Sequence, residues 1–192
     1  MSAEIILASA SPRRREILTT LGIPHRIVVS DADEALPAGL TPAEAVEMLA
    51  ARKAAAVAPL VPADAVILAA DTVVAVDGDI LGKPRDAADA AAMLRQLSGR
   101  AHTVYTGVAV RRGAHALTAH EATEVRFAPL SEAEIAAYIA TGEPADKAGA
   151  YAIQGRAARF IEGITGDYFN VVGLPAHRVC VMLEEMFSPA LG

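Results

Sequence analysis

The order of apolar and polar positions along the chain predicts strands alternating with helices. Residues 4–8 and residues 25–30 are short apolar segments, each of which predicts a strand. Between them, Ser11-Pro12 predicts a helix with serine at the N-cap and proline in the first turn, and Gly22 ends it. A second helix is predicted from a capping box that begins at Thr41, and it extends to about residue 58.

The middle of the chain predicts antiparallel strand pairs. The apolar run over residues 65–76 leads through Asp77-Gly78, a favoured hairpin turn, into Ile80-Leu81. Residues 103–110 and 119–127 predict a second pair around Gly113. Further helices are predicted after Asp86, after Ser131 and after Leu174-Pro175. We expect a mixed-sheet α/β or α+β layered fold, in one domain over residues 1–192.

Composition then excludes several classes of function. The formal net charge is −6, so a broad nucleic-acid or anionic-membrane surface is not expected. One cysteine excludes an internal disulfide framework, and the five histidines lack a zinc-binding spacing. No apolar run has the length of a membrane span, and the N-terminal order of apolar residues before arginines is not that of a signal peptide. We expect a cytoplasmic protein.

Two charged residues interrupt apolar patterns. Asp71 lies inside the apolar run 65–76, where a carboxylate is costly to bury without a partner. It is either a strand-end carboxylate that caps a helix, or a general base or metal ligand. Lys53 lies on the apolar stripe of the second helix with Val46, Leu49 and Val57. It either extends its ammonium group to solvent at the edge of the stripe or directs it into a cleft.

Three further segments have the composition of ligand-binding loops. Ser9 to Arg15 joins a strand to a helix start, and its serines, arginines and backbone N–H groups suit phosphate oxygens. Lys83 lies in a Gly-Lys-Pro loop, which is also an ordinary turn. Gln154 lies in a glycine-flanked segment, and its amide could recognise the edge of a base or pack within the loop. The chain has 14 arginines but only three lysines, at positions 53, 83 and 147.

Taken together, these segments resemble the Maf family of nucleoside triphosphate pyrophosphatases. The resemblance rests on seven stretches in register over residues 7–175: LASASPRR from Leu7, ADTVV from Ala70, LGKP from Leu81, SGRAH from Ser98, TGV from Thr106, TGEPADKAGAYAIQG from Thr141, and GDY with VVGLP from Gly166. It implies two lobes around a central cleft in an elongated, layered Maf/ITPase-like molecule. The stretches SPRR, DT and AYAIQG resemble the subgroup acting on dTTP and UTP.

The resemblance also implies an activity and residue roles. The expected reaction is hydrolysis of dTTP, UTP or modified pyrimidine nucleotides to monophosphate and pyrophosphate, by metal-assisted attack of water at the α-phosphate. Asp71 matches the proton acceptor. Substrate choice is expected from Arg13, Thr72 and Gln154; phosphate binding from Ser9, Ser11, Arg13, Arg14, Lys53 and Lys83; and binding of Mg²⁺ or Mn²⁺ from Glu34 and Asp71.

Alternative functions stay open at this point. The chain could be a nucleotide-binding regulator of cell division without essential catalysis, or a phosphatase that releases orthophosphate. No nucleic-acid or membrane partner is expected beside the nucleoside triphosphate. A homodimer is compatible with the resemblance. Hydrolysis of modified pyrimidine nucleotides would give the enzyme a housecleaning role.

Overall fold

A computed structural model describes residues 4–188, and these contain seven strands and six α-helices. The strands are β1 (Ile5–Leu7), β2 (Arg26–Ile27), β3 (Val66–Val76), β4 (Asp79–Leu81), β5 (Ala101–Arg112), β6 (His115–Phe127) and β7 (Ile161–Thr165). The helices are α1 (Pro12–Thr20), α2 (Pro42–Val57), α3 (Ala87–Leu97), α4 (Glu132–Ile139), α5 (Tyr168–Val172) and α6 (Ala176–Phe187). Short 3₁₀ helices follow α2 and lie between α4 and β7.

The strands form a mixed sheet in the order β2-β1-β3-β5-β6-β7, with β4 paired to β3. β1 is parallel to β2 and to β3. β4 is antiparallel to β3, and β7 is antiparallel to β6. The expectation of an α/β fold with a mixed sheet is therefore confirmed. In the part of the chain that the structure describes, no helix combines the length and apolar character needed to cross a membrane.

The chain divides into two compact units, each made of separate segments. The first contains residues up to 71, residues 106–121 and residues from 173 onward. The second contains residues 72–105 and 122–172. The chain therefore passes from one unit to the other within β3, β5 and β6, and again directly after α5. The expectation of one domain over the whole chain stays a prediction.

In the first unit, α2 packs on β1 and β3. The core contains Ile6 and Ile67 from the strands and small residues of the helix such as Ala50 and Ala54, all buried. Because alanine has little bulk, the helix can approach the sheet closely. The predicted capping box at Thr41 is present, with both reciprocal hydrogen bonds to Glu44. The start of α2 is therefore fixed at Thr41.

In the second unit, the predicted hairpin between β3 and β4 is confirmed. Asp77 and Gly78 have φ angles of 52° and 88°, as a two-residue turn of this kind requires. The core of the unit is aromatic, with Phe127, Tyr138, Tyr151 and Phe160 in edge-on or tilted ring contacts. Helices follow Asp86 and Ser131 as predicted: Asp86 caps α3, and Ser131 forms a capping box with Glu134 at the start of α4.

Some element boundaries differ from the sequence-based predictions. β2 is only two residues long, because its partner β1 has three residues and pairs with it at only two positions. Both residues of this edge strand are exposed. β5 and β6 extend further into polar residues than the apolar pattern indicates, because they are paired neighbours in the sheet. β7 and α5 were missed. The residues of β7 show only a weak apolar pattern, and they form a strand because they pair with β6.

Candidate active site

The candidate site of the first unit lies beyond the end of β1, beside the middle of its parallel neighbour β3, where Asp71 is located. Leu7 of β1 pairs with Leu68 of β3, and the N–H of Ala8 donates to the carbonyl of Leu68. Ser9 therefore follows the end of β1 beside the part of β3 that leads to Asp71. The carboxyl ends of parallel strands are the usual place for ligand sites in α/β sheets.

Lys53 on α2 holds two carboxylates together. Its Nζ is in ion-pair contact with Oδ1 of Asp71, and lies 2.8 Å from Oε1 of Glu34. The side chains of Lys53 and Asp71 are each 14% exposed, whereas that of Glu34 is 60% exposed. The inward position of Lys53 on the helix stripe thus brings its ammonium to Asp71, and the partner that a largely buried carboxylate needs is present.

The loop that carries Glu34 is tied to α2 by the neighbour of Lys53. Nη1 of Arg52 donates to the carbonyl of Ala35 and lies 3.4 Å from the carbonyl oxygen of Asp33. The N–H of Ala35 in turn donates to Oδ1 of Asp33 over 2.9 Å. This contact of Arg52 was not predicted from the sequence. Its only signal was the adjacency of two cationic residues on the helix.

Ser9 and Arg14 form a second arrangement at the start of α1. Nη1 of Arg14 and the N–H of Ser11 both donate to Oγ of Ser9, each over 3.2 Å. Nε of Arg14 donates to the carbonyl of Gly173 over 2.8 Å. Ser11 occupies the predicted N-cap, but within residues 4–188 its hydroxyl makes no capping hydrogen bond. The role of Gly173 as an acceptor for Arg14 was not predicted, because the two are far apart in sequence.

The two arrangements are electrostatically linked. Burial lowers the pKa of the Arg14 guanidinium, while the charge of Asp71 acts in the opposite direction. The neighbouring Arg13 lowers that pKa further, and Glu34 raises it. Arg14 therefore lies within the field of both carboxylates held by Lys53. Three cationic and two anionic side chains, those of Arg13, Arg14, Lys53, Asp71 and Glu34, share one region, and these are the types of group that can bind phosphate and accept a proton.

The other predicted residues belong to the second unit. Thr72 follows Asp71 along β3 and is half-buried, whereas Lys83 and Gln154 are exposed on loops. The N–H of Gly149 donates to the carbonyl of Gly82 over 3.0 Å. This bond ties the Lys83 loop to the segment that leads to Gln154. The roles of these three residues stay predictions.

The third lysine, Lys147, lies in the same segment. Its Nζ is in ion-pair contact with Asp146, and its side chain is 14% exposed. The contact joins neighbours in sequence, and Lys147 lies two positions before Gly149, whose N–H binds the Gly82 carbonyl, so the contact is consistent with a local structural role.

The donor set of the first unit fits a hard divalent cation. Among residues 4–188 no group of three or more histidine, cysteine, aspartate and glutamate side chains could hold a metal ion by itself. Asp71 and Glu34 nevertheless converge on the same Nζ, so two carboxylates are close together. Mg²⁺ is commonly bound by one or two carboxylates together with substrate phosphates, and this pair meets that requirement.

Comparison with known proteins gives consistent matches over nearly the whole chain. The family model described as Maf-like protein matches residues 4–186. A dTTP/UTP pyrophosphatase of Symbiobacterium thermophilum is 56% identical over 186 residues, which cover 97% of this chain and 95% of that protein. The dTTP/UTP pyrophosphatase of Pelotomaculum thermopropionicum is 58% identical over 184 residues, covering 95% and 96%.

More distant matches extend this comparison. The dTTP/UTP pyrophosphatase of Salinibacter ruber is 52% identical over 194 residues, covering 100% of this chain and 95% of that protein. The solved structure of the Staphylococcus aureus Ham1 protein aligns with 65% of this chain and 71% of its own, at 16% identity and a TM-score of 0.48. The last similarity is too low to establish a shared fold.

Proposed function

The chain belongs to the Maf-like protein family, and from that premise we propose that it hydrolyses dTTP and UTP to the monophosphate and pyrophosphate. Relatives that share more than half of its residues carry the name of that activity. The observation that carries the proposal is the contact of one ammonium, Lys53 Nζ, with the carboxylates of both Asp71 and Glu34. Arg14 lies within the field of the same carboxylates.

In this proposal Asp71 is the proton acceptor. A water oxygen attacks the α-phosphorus, and the bond from that phosphorus to the α–β bridging oxygen breaks. The bridging oxygen leaves with pyrophosphate, and the proton of the attacking water passes to the carboxylate of Asp71. Lys53 holds this carboxylate in place, so its orientation does not depend on substrate binding.

Phosphate binding is assigned to the start of α1 and to Lys53 and Lys83. Ser9 and the carbonyl of Gly173 orient the guanidinium of Arg14, and this limits the conformational freedom that substrate binding must remove. Arg13 and the N–H groups of the first helical turn add further donors for phosphate oxygens. Lys53 and Lys83 would stabilise charge on the departing pyrophosphate.

Base selection is assigned to Arg13, Thr72 and Gln154. The amide of Gln154 offers both a donor and an acceptor, which a pyrimidine edge can match. The exposed position of Gln154 in a turn is compatible with contact to a ligand. Standard and modified pyrimidine nucleotides both fit this assignment, and hydrolysis of the latter would be a housecleaning activity.

We assign divalent-cation binding to Asp71 and Glu34, with Mg²⁺ and Mn²⁺ as the candidates. When bound, such a cation polarises phosphate oxygens and makes a bound water more acidic. Glu34 would contribute its carboxylate from the exposed loop that Arg52 ties to α2. Its substitution by glutamine should raise the Mg²⁺ concentration needed for half-maximal activity, and Asp31→Asn in the same exposed loop is the matched control.

A homodimer and a cytoplasmic location complete the proposal. The homodimer is an expectation from the family resemblance, and the cytoplasmic location is an expectation from the composition and the N-terminal sequence pattern. Sedimentation of the purified protein at several concentrations tests the oligomeric state, and fractionation of the source cells tests the location.

The direct test of the proposed function is the identity of the released phosphate. The purified protein is incubated with dTTP, UTP, CTP, GTP and methylated nucleotides, with Mg²⁺ and with a chelator. Pyrophosphate and orthophosphate are then measured separately. Pyrophosphate from UTP and dTTP in a metal-dependent reaction is expected. Release of orthophosphate alone, or tight nucleotide binding without any release, would contradict the proposal.

A further inference from the structure

A carboxylate in the second unit holds the turn that carries Gln154. Glu143 begins a short 3₁₀ helix directly after Gly142, and its carboxylate faces the segment 151–156. The N–H of Arg156 donates to both of its oxygens, over 3.0 Å to Oε1 and 3.1 Å to Oε2. The hydroxyl of Tyr138 donates to Oε1 over 2.8 Å. One side chain thus accepts hydrogen bonds from α4 and from the end of the turn.

Tyr138 connects this carboxylate to the other end of the turn. Its hydroxyl accepts a hydrogen bond from the N–H of Ala152 over 3.2 Å while it donates to Glu143. Its side chain is buried. Burial raises the pKa of Tyr138 above its ordinary value, and the hydrogen bond to Glu143 adds to the shift, so the phenol stays protonated and keeps its donor.

The N–H groups that Tyr138 and Glu143 bind lie at equal distances in sequence on either side of Gln154. Ala152 and Arg156 lie two positions before and two positions after Gln154, which is itself exposed. Between them the chain makes a turn in which the N–H of Gly155 donates to the carbonyl of Ala152 over 3.0 Å. The backbone of Gln154 is therefore anchored on both sides, while the residue itself is exposed.

Gly155 shows how closely the carboxylate and the turn are packed. A Cβ on Gly155 would lie 2.1 Å from Oε1 of Glu143 and 2.4 Å from its Cδ. The φ angle of Gly155 is −109°, so glycine is not needed there for backbone conformation. Its missing side chain is what allows the carboxylate to reach the N–H of the next residue.

We propose that Glu143 and Tyr138 are positioning residues that set the orientation of Gln154 and thereby the preference for the uracil or thymine base. The proposal rests on the proposed function, since it takes Gln154 as a base-contacting residue. An anchored turn presents the amide in one orientation, so less conformational freedom is lost when a base is bound. Neither positioning residue is assigned a contact with phosphate or with the reacting atoms.

The test compares Glu143→Gln, Glu143→Ala and Tyr138→Phe with the matched control Glu132→Gln. Glu132 lies on α4, the helix that carries Tyr138, is 71% exposed and pairs with Arg95 rather than with the turn. Pyrophosphate release gives kcat and KM for UTP and for CTP. We expect KM for UTP to rise about tenfold in Glu143→Ala, with kcat changed less than about twofold and CTP little affected. Glu143→Gln retains its shape, so it remains informative if the alanine variant folds poorly.

Amide hydrogen exchange without nucleotide separates this inference from the proposed function. Exchange at Ala152 and Arg156 should accelerate in the Glu143 and Tyr138 variants but not in Glu132→Gln. If exchange is unchanged, the anchoring is wrong. If exchange accelerates and the UTP-to-CTP ratio of kcat/KM is unchanged, the positioning role is wrong. A wild-type protein that releases no pyrophosphate overturns the proposed function instead, and the exchange result still tests the anchoring.

A double-mutant cycle provides an independent measurement. Gly155→Ala should displace the Glu143 carboxylate and lower UTP preference in the wild-type background. In the Glu143→Ala background the same change removes no contact with that carboxylate, so its additional effect should nearly vanish. Additive effects of the two substitutions would contradict the proposed coupling.

Discussion

Gly107 of β5 packs directly against the backbone of Val46 on α2. A Cβ at position 107 would lie 2.3 Å from both the carbonyl carbon and the carbonyl oxygen of Val46. Neither atom can move without a shift of the helix. Since α2 also carries Lys53, this close approach of helix and sheet helps to determine where the ammonium reaches Asp71.

Gly107→Ala should therefore destabilise the fold and weaken activity. We expect a loss of about 3 kcal/mol in the free energy of unfolding, measured with urea, because a backbone clash must be relieved by moving α2. Gly163→Ala is the matched control. The nearest atom to a Cβ at position 163 would be Nη2 of Arg126, at 3.4 Å, and this is the end of a flexible side chain. Equal stability of the two variants would contradict the packing argument.

Asp71→Asn should abolish most activity while the protein stays folded. Asparagine keeps the shape of the side chain but cannot accept the proton of the attacking water. We expect pyrophosphate release to fall by a factor of about 10² or more. Asp64→Asn, an exposed position just before β3, should have near-normal activity. Near-normal turnover in Asp71→Asn would show that another group accepts the proton.

Arg14→Lys should raise KM for the nucleoside triphosphate. Lysine cannot reproduce both the contact of Nη1 with Ser9 and that of Nε with the carbonyl of Gly173, so the charge would no longer be fixed in orientation. We expect an increase in KM of about tenfold in steady-state kinetics. Arg15→Lys, at the exposed neighbouring position, should change KM less than about twofold. Similar effects of the two substitutions would argue against a special role for Arg14.

His102 should make stability depend on pH. Burial lowers the pKa of His102 from 6.5 to about 4, and its ring lies edge-on to Phe127 and Tyr151. Between these pH values the unfolded chain binds a proton that the folded protein does not. Stability should therefore fall as the pH is lowered from about 6.5 to about 4, by about 3 kcal/mol in total.

The His102→Gln variant tests this pH dependence. Its free energy of unfolding in urea, measured at several pH values, should change less between these limits than that of the wild type, whatever the cost of the substitution itself. His177→Gln, at an exposed position on α6, should retain the wild-type slope. An unchanged slope in His102→Gln would assign the effect to other groups.

The amino-acid sequence by itself determined most local features of this protein. The capping boxes at Thr41 and Ser131 and the Asp77-Gly78 turn depend on residues within a few positions of each other, so they were predictable. The apolar pattern also marked Asp71 and Lys53 as unusual, because a charge within a buried strand or stripe needs a partner.

Only the tertiary structure decided how these residues are paired. That Lys53 contacts both Asp71 and Glu34, or that Arg14 binds the carbonyl of Gly173, depends on chain segments that the fold brings together. The same is true of β7, whose residues form a strand through pairing with β6, and of the Glu143 carboxylate that anchors both sides of Gln154 together with Tyr138. Local sequence patterns carry no information on such distant contacts, since their energy exists only once the sheet and its helices are assembled.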